Sequence, residues 1–160
     1  MWKVKKSKIH GTGVVALEDI KKGVKIIQYI GEKITKKEGD RRSEERIKKY
    51  LHKKNEGSVY IFELNKKYDI DGSPLYNKAR YINHSCDPNC EVDIINNQIW
   101  IISIKRIKKG HELNYDYGYP FDGDDFSDHT CKCGSKKCIG YIISRDEWKK
   151  LIKFNRIKNK

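Results

Sequence analysis

The chain has 160 residues, 36% of them charged and 37% hydrophobic, and it carries a formal net charge of +13 at pH 7. With no Pro-rich or Gly/Ser-rich linker it has room for one domain with one sizeable core, and its start lacks an apolar signal core, so a soluble, non-secreted chain is expected. The basic balance favours a polyanionic partner such as DNA over a free basic peptide, and no run of eighteen apolar residues is present to cross a membrane.

Val4 to Leu17 reads as two short strands around the turn Gly11-Thr12-Gly13. Its glycines let a backbone approach a ligand, although a plain tight turn would look the same. Ile20-Lys21-Lys22-Gly23 then turns the chain into Val24 to Ile30, a β-branched run of strand length, and Ile107-Lys108-Lys109-Gly110 repeats that turn. Lys36 to Lys54 predicts one amphipathic helix, with Ile47, Tyr50 and Leu51 at helical spacing and Asp40 or Ser43 as its cap. Ser58 to Leu64 and Tyr68 to Asp71 should pair as a hairpin. Val92 to Ile95 and Gln98 to Ile104 should form another through Asn96-Asn97, a loop that tolerates positive φ. Phe121 to Asp128 carries Asp122, Asp124, Asp125 and Asp128 and reads as a mobile, solvated loop; with Glu112 and Asp116 it could also draw in a Lys/Arg-rich substrate. Ser144-Arg145-Asp146-Glu147 has the form of a capping box for a last helix through Ile157. Trp148, Leu151 and Ile152 would lie on one side, with Lys149, Lys150, Lys153 and Arg156 elsewhere.

Chemistry concentrates in Arg80-Tyr81-Ile82-Asn83-His84-Ser85-Cys86-Asp87-Pro88-Asn89-Cys90. Asp87-Pro88-Asn89 should halt a strand near Ser85, leaving Asn83 and His84 at an element end where they can face a ligand. A lone His beside a turn could equally be a satisfied core residue. Three of the five cysteines crowd into Cys131-Lys132-Cys133-Gly134-Ser135-Lys136-Lys137-Cys138, which suits a metal in a reducing compartment better than a disulfide framework. A structural zinc ion wants four ligands, and spacing alone leaves Cys86, Cys90, His84 and His129 open as the fourth. No Rossmann-type or Walker-type glycine loop is present.

Taken in order, Ser7 to Gly13, the Asn83-His84-Ser85-Cys86 stretch, Glu112-Leu113-Asn114-Tyr115-Asp116-Tyr117 and the three late cysteines resemble the SET-domain protein lysine methyltransferases. The resemblance covers about residues 4 to 142 and is strongest to the trithorax-like branch, which methylates histone tails and carries post-SET cysteines. It implies a mainly β SET fold with few helices, several small sheets and a knot-like C-terminal threading in which the Asn83-His84 and Tyr115-Tyr117 stretches meet. Residues 1–120 would be the SET domain, 121–143 a zinc-bound post-SET loop and 144–160 a basic amphipathic C-terminal helix. No pre-SET region or reader domain is apparent, which reads as a nearly bare catalytic unit.

By the same resemblance S-adenosylmethionine would be held by His10, Gly11, Thr12, Tyr60, Asn83, His84, Lys132 and Ile142. Thr12 stands where relatives often carry a long basic side chain, which shifts carboxylate recognition toward main chain. The resemblance selects Cys86 to join Cys131, Cys133 and Cys138 on zinc, leaving Cys90 as a spare, buried thiol. Tyr117 matches the family's catalytic tyrosine, and Tyr29 and Tyr115 match positions lining its lysine channel. A tyrosine rather than phenylalanine at 115 implies mono- or dimethylation. The implied activity is S-adenosylmethionine-dependent protein-lysine N-methylation of a histone tail within nucleosomes, with possible nucleosomal DNA contact. The nucleus or chromatin is the implied location, a host nucleus if the source is a microbe or virus, with the cytoplasm as alternative. Other readings are methylation of another basic protein, or a non-catalytic zinc-stabilised chromatin-binding module.

Overall fold

A computed structural model of the protein describes residues 1–50 and 60–158. Its strands are β1 (Trp2–Lys6), β2 (Thr12–Ala16), β3 (Lys25–Tyr29), β4 (Glu32–Thr35), β5 (Ile61–Glu63), β6 (Tyr68–Asp71), β7 (Asn83–His84), β8 (Cys90–Ile95), β9 (Gln98–Ser103) and β10 (Asn114–Tyr115). The helices are α1 (Lys36–Tyr50) and α2 (Trp148–Lys158), with short 3₁₀ turns at Lys78–Tyr81, Phe126–Asp128 and Arg145–Glu147. This is the mainly β architecture of several small sheets and few helices that the motifs implied. Among the described residues no helix is long and apolar enough to cross a membrane.

The chain divides into two compact units. The first comprises Met1–Val24, Tyr81–Glu91 and Ile102–Lys160. Here β1 and β2 pair antiparallel, Val4 opposite Val14, because Trp2 and Val4 turn inward while Lys3 and Lys5 face solvent. The two Ile-Lys-Lys-Gly turns are joined by a reciprocal bridge. Ile20 N–H donates to the Ile107 carbonyl at 2.8 Å, and Ile107 N–H donates to that of Ile20 at 2.9 Å. Each closes on a glycine in the left-handed region, Gly23 at φ 82° and Gly110 at φ 85°. Both isoleucines are buried, as are Val14, Val15, Ile82, Leu113, Ile143 and Leu151 of the same unit, and the four lysines remain exposed.

The C-terminal segment departs from expectation in two ways. Ser144 makes no side-chain cap, so the capping box is not formed. Asp116 Oδ2 accepts the Arg145 N–H instead, at 2.9 Å, and a 3₁₀ turn precedes α2. The four aspartates of the acidic segment are exposed, as expected of a solvated loop, but its two phenylalanines are packed. Phe121 and Phe126 stack with each other at 5.3 Å and with Phe154 of α2 at 5.5 and 5.7 Å, and Phe126 also meets Tyr141 at 4.8 Å. On α2, Leu151 is buried as expected while Ile152 is half exposed.

The second unit comprises Lys25–Arg80 and Val92–Ile101. The β8–β9 hairpin turns on Asn96 and Asn97, both left-handed at φ 52° and 57°, which is the primed geometry expected of that pair. In the sheet order β9 lies between β3 and β8, and β6 lies between β4 and β5, with β5 and β6 forming the expected antiparallel hairpin. Helix α1 begins at Lys36, where Thr35 Oγ1 accepts the Glu38 N–H at 3.3 Å, so Asp40 and Ser43 lie inside it rather than capping it. Its expected continuation to Lys54, and the start of the Ser58 strand, lie outside the described residues. Of the expected apolar stripe Ile47 is exposed, while the Tyr50 side chain and Leu51 lie outside the described residues; charged contacts dock the described part of the helix. Arg42 and Arg46 converge on the buried Asp71 at 2.8 Å each.

Candidate functional site

The site is built by a two-residue parallel pairing in the first unit that sets Asn83 opposite Asn114 and His84 opposite Tyr115. Asn89 locks it, because its Oδ1 accepts the Asn114 N–H at 2.9 Å and its Nδ2 donates to the Glu112 carbonyl at 2.8 Å. The turn at Asp87-Pro88 is therefore what lets the side chain of Asn89 reach back. Ser85 N–H continues the ladder to the Tyr115 carbonyl at 3.1 Å.

Asn83 faces the N-terminal turn. Its Nδ2 lies 3.2 Å from the His10 carbonyl and 3.1 Å from that of Thr12, with Gly11 left-handed at φ 49° between them. His10, Gly11 and Thr12 themselves are exposed. Asn83 and the His10–Thr12 turn thus bring together four of the residues that the resemblance assigns to a methyl donor.

Tyr115, Tyr117 and Tyr119 repeat at period two and form a ring ladder. Tyr117 lies 5.1 Å from Tyr115 and 5.9 Å from Tyr119, which in turn meets His129 edge-on at 5.3 Å. Tyr115 is buried, and the Tyr117 hydroxyl donates to the Ile82 carbonyl at 3.1 Å. His84 packs edge-on against Tyr117 at 5.4 Å and accepts the Tyr117 N–H at Nδ1, 3.2 Å away. Burial pushes His84 below its ordinary range, which the Asp116 carboxylate at 3.8 Å opposes. A neutral ring whose Nδ1 accepts carries its hydrogen on Nε2, and that atom lies 3.6 Å from Cys86 Sγ.

Cys86 is the candidate fourth ligand that groups with the late cysteines. The Sγ atoms of Cys86, Cys131, Cys133 and Cys138 all lie within 4.8 Å of one another, those of Cys131 and Cys138 being 3.7 and 3.9 Å from Cys86. Zn–S bonds of about 2.3 Å at tetrahedral angles place sulfurs about 3.8 Å apart, so the donor set fits zinc in number, chemistry and spacing. Gly134 at φ 69° and Gly140 at φ 85° allow the tight knuckles, and Cys131 N–H bonds to the Gly140 carbonyl at 2.8 Å. Burial pushes the Cys86 thiol up to about 11; at Cys133 hydrogen bonds from the Cys86 and Ser135 backbone outweigh burial and bring it to about 7. Cys90 is buried apart from the group, where burial pushes its thiol up to about 12.

Lys132 is exposed between two of these cysteines, and Ile142 is half-buried with its N–H on the His129 carbonyl at 2.7 Å. Tyr29 and Tyr60 belong to the second unit, where the Tyr29 hydroxyl donates to the Tyr60 carbonyl at 2.9 Å and the Arg80 guanidinium covers the Tyr60 ring at 4.2 Å. Ser7 and Tyr119 at the site were not singled out by sequence reasoning, and Glu112 was read only as an acid that could draw in a basic substrate, whereas its carboxylate lies 2.7 Å from Asn83 Nδ2. The period-two tyrosines were a usable signal for Tyr119; Ser7 was visible only as a member of a motif.

The SET domain family model matches residues 11–118. The histone-lysine N-methyltransferase set-2 of Caenorhabditis elegans is 39% identical over 146 residues, which cover 89% of this chain and 9% of that protein. Trithorax of Drosophila virilis, also named a histone-lysine N-methyltransferase, is 38% identical over 86% of this chain and 3% of its own length. The histone-lysine N-methyltransferase of Schizosaccharomyces pombe named as H3 lysine-4 specific is 36% identical over 85% of this chain and 14% of its own length. The chain therefore spans a small fraction of each of these relatives.

Proposed function

The chain belongs to the SET-domain family, and on that premise we propose that it is an S-adenosylmethionine-dependent protein-lysine N-methyltransferase acting on a histone tail within nucleosomes. The observation that carries the reading is the parallel pairing of Asn83-His84 with Asn114-Tyr115, which puts the His10–Thr12 turn and the Tyr115–Tyr117 rings at one locus. S-adenosylmethionine supplies an electrophilic methyl group on a cationic sulfonium.

The protein's residues must supply a neutral amine. An unperturbed lysine, with a pKa near 10.4, is neutral in well under about one molecule in a thousand at pH 7. An aromatic, poorly hydrated channel disfavours the ammonium, so the amine sheds its proton before it attacks. Tyr29, Tyr115 and Tyr117 are assigned to that channel, and the anchored Tyr117 hydroxyl is assigned to orient the amine beside the Ile82 carbonyl. The buried Tyr115 is assigned to limit space at the amine, which favours mono- or dimethylation.

His10, Gly11, Thr12, Asn83, His84 and Tyr60 would hold the donor, aided by Lys132 and Ile142. Cys86, Cys131, Cys133 and Cys138 would hold a structural zinc ion. Residues 1–120 would then serve as the SET domain, 121–143 as a post-SET loop and 144–160 as a basic helix. Nuclear or chromatin location accompanies a nucleosomal substrate, and nucleosomal DNA contact is assigned to the paired lysine turns.

Methyl transfer from labelled S-adenosylmethionine onto reconstituted nucleosomes and free histones, with mass spectrometry of the products, tests the reading. The name of the fission-yeast relative makes lysine 4 of histone H3 the first position to inspect. Labelled histone with the expected tail peptide supports the proposal. Donor binding without transfer to any histone would overturn the substrate, and no donor binding would overturn the enzyme.

A further inference from the structure

The Asn83 carboxamide is held by a carboxylate to which the motif match assigns no role. Its Nδ2 donates to Glu112 Oε1 at 2.7 Å, and the His10 and Thr12 carbonyls and Ser7 Oγ are its other neighbours, at 3.2, 3.1 and 3.2 Å. All but the hydroxyl are pure acceptors, so the amide orientation is forced, with nitrogen toward Glu112. The bond to the carboxylate is charge-assisted and is the strongest of the set.

Ser7 completes a circuit. Its Oγ lies 2.7 and 2.8 Å from the two Glu112 carboxylate oxygens and accepts the Ile9 N–H at 2.8 Å and the His10 N–H at 3.2 Å. Hydrogen bonds therefore run from the Ile9 and His10 amides through Ser7, Glu112 and Asn83 and back to the His10 and Thr12 carbonyls.

Gly13 gives a second, independent observation. A Cβ placed there would lie 2.7 Å from Glu112 Cδ and 3.1 Å from Ser7 Cβ, with a carboxylate oxygen closer still. Gly13 is absent from the glycines with positive φ, so its lack of a side chain serves room rather than conformation. The room is taken by the Glu112 carboxylate. The Glu112 backbone is set by its bridge to Val15, and Leu113 N–H bonds to the Val14 carbonyl at 2.7 Å.

We propose that Glu112, oriented by Ser7 and given space by Gly13, is a positioning residue that fixes the Asn83 carboxamide and, through it, the His10–Thr12 backbone of the methyl-donor site. The inference rests on the donor-binding reading above and adds to it a carboxylate that touches neither donor nor substrate.

The test is calorimetric binding of S-adenosylhomocysteine to the zinc-loaded chain and to Glu112→Gln, Glu112→Ala, Gly13→Ala and the double variant Gly13→Ala/Glu112→Ala. Each sample is also followed by the NMR signals of the Asn83 side-chain amide. Loss of a charge-assisted bond predicts binding weaker by about tenfold or more for Glu112→Ala and Gly13→Ala. Glu112→Gln, which keeps an acceptor, should fall between wild type and Glu112→Ala. The double variant should bind no worse than Glu112→Ala, because the added methyl then enters vacated space, an epistasis that a merely structural glycine would not produce. The Asn83 amide protons should move upfield and exchange faster wherever the carboxylate is lost or displaced.

Folded variants that bind as tightly as wild type would overturn the inference and leave the donor reading intact. Additive losses in the double variant would also overturn it. If the wild type binds no donor, the functional reading fails instead. The amide signals then decide whether Glu112 holds Asn83: unchanged signals in both single alanine variants refute the contact, and shifted ones support it.

Discussion

The imidazole of His84 joins Cys86 to Tyr117, accepting the Tyr117 N–H at Nδ1 over 3.2 Å while its Nε2 lies 3.6 Å from the cysteine sulfur. One buried ring therefore links the thiol group to the backbone of the residue assigned to catalysis. If the four cysteines hold zinc, the ion also fixes the Cys86 end of this strut. Metal removal should then be felt at the tyrosines. Treatment with a strong chelator should release one zinc per chain by elemental analysis, lower the melting temperature, flatten the near-ultraviolet tyrosine dichroism and abolish methyl transfer, with recovery on adding zinc. Cys86→Ser should reproduce the effect in part. A chain that contains no metal as purified and transfers methyl groups at full rate would refute the zinc assignment.

Replacement of Tyr117 by phenylalanine removes the hydroxyl that donates to the Ile82 carbonyl. One neutral hydrogen bond is worth about 1 kcal/mol, so the melting temperature should fall by only a few degrees. Turnover should fall about a hundredfold or more if that hydroxyl orients the amine, because misplacement at the reacting atom is costly. Donor binding should be unchanged. Single-turnover transfer read beside calorimetry separates the two, and a variant with wild-type turnover would remove Tyr117 from catalysis.

Tyr115→Phe tests the product assignment. Tyr115 is buried at 5% exposure, so its hydroxyl and any water it holds occupy space that cannot be vacated by rotation into solvent. The variant should shift products toward trimethyl-lysine with little loss of the first transfer. Mass spectrometry of a modified tail peptide over time reads this directly, and an unchanged methyl distribution would sink the role.

What could be read ahead of the structure divides by the range of the interaction. The Asn96-Asn97 reversal was legible because positive φ is a demand two residues make on their own backbone. Cys86 was not legible from spacing, since nothing local ties it to thiols 45 and 52 positions on; the family pattern supplied that link. Ser144 carried every local mark of a cap, yet Asp116, 29 positions earlier, took the Arg145 amide. The acidic residues at 122, 124, 125 and 128 masked Phe121 and Phe126, whose partner Phe154 lies on another element. Likewise α1 looked solvated because its docking contacts are charged.

That docking makes a pH prediction. Asp71 is 2% exposed; burial raises its carboxyl, but hydrogen bonds from Arg46, Arg42 and Ser73 outweigh this and hold it well below the usual carboxylate range. A carboxyl depressed in the folded state stabilises above its unfolded pKa of about 3.9, and that contribution is lost as pH falls toward the folded value. Wild-type stability should therefore drop steeply below about pH 4. Glu38, held down to about 2 by Arg41 and Arg42, adds to the same slope. Asp71→Asn leaves the partly buried Arg46 guanidinium without its carboxylate, while Arg42 keeps Glu32 and Glu38, and should cost about 3 kcal/mol at pH 7, with a flatter acid limb. Denaturant unfolding at pH 7, 4 and 2.5 reads both quantities. Parallel acid limbs for variant and wild type would show that Asp71 is not the group responsible.

The paired Ile-Lys-Lys-Gly turns make the prediction about DNA. The reciprocal Ile20–Ile107 bridge brings the Lys21-Lys22 and Lys108-Lys109 turns together, while Asp19 is occupied by Arg106 at 2.6 Å and the Lys109 N–H at 2.8 Å. All four are exposed, and although Lys108 acts through space on the Asp19 carboxylate, together they present positive charge to an outside polyanion. Duplex DNA bound there should show an affinity that falls linearly with log salt, by about 0.9 per phosphate neutralised. Glutamate at all four positions should weaken binding at least about tenfold and reduce that slope. Transfer to a free tail peptide should be unaffected, because none of the four is assigned to the donor or the lysine channel, whereas transfer to nucleosomes should fall. Fluorescence anisotropy with a labelled duplex at 50, 100 and 200 mM salt supplies the slopes. Equal slopes for variant and wild type would move the DNA contact away from these turns, and Lys149, Lys150 and Lys153 of α2 would be next to reverse.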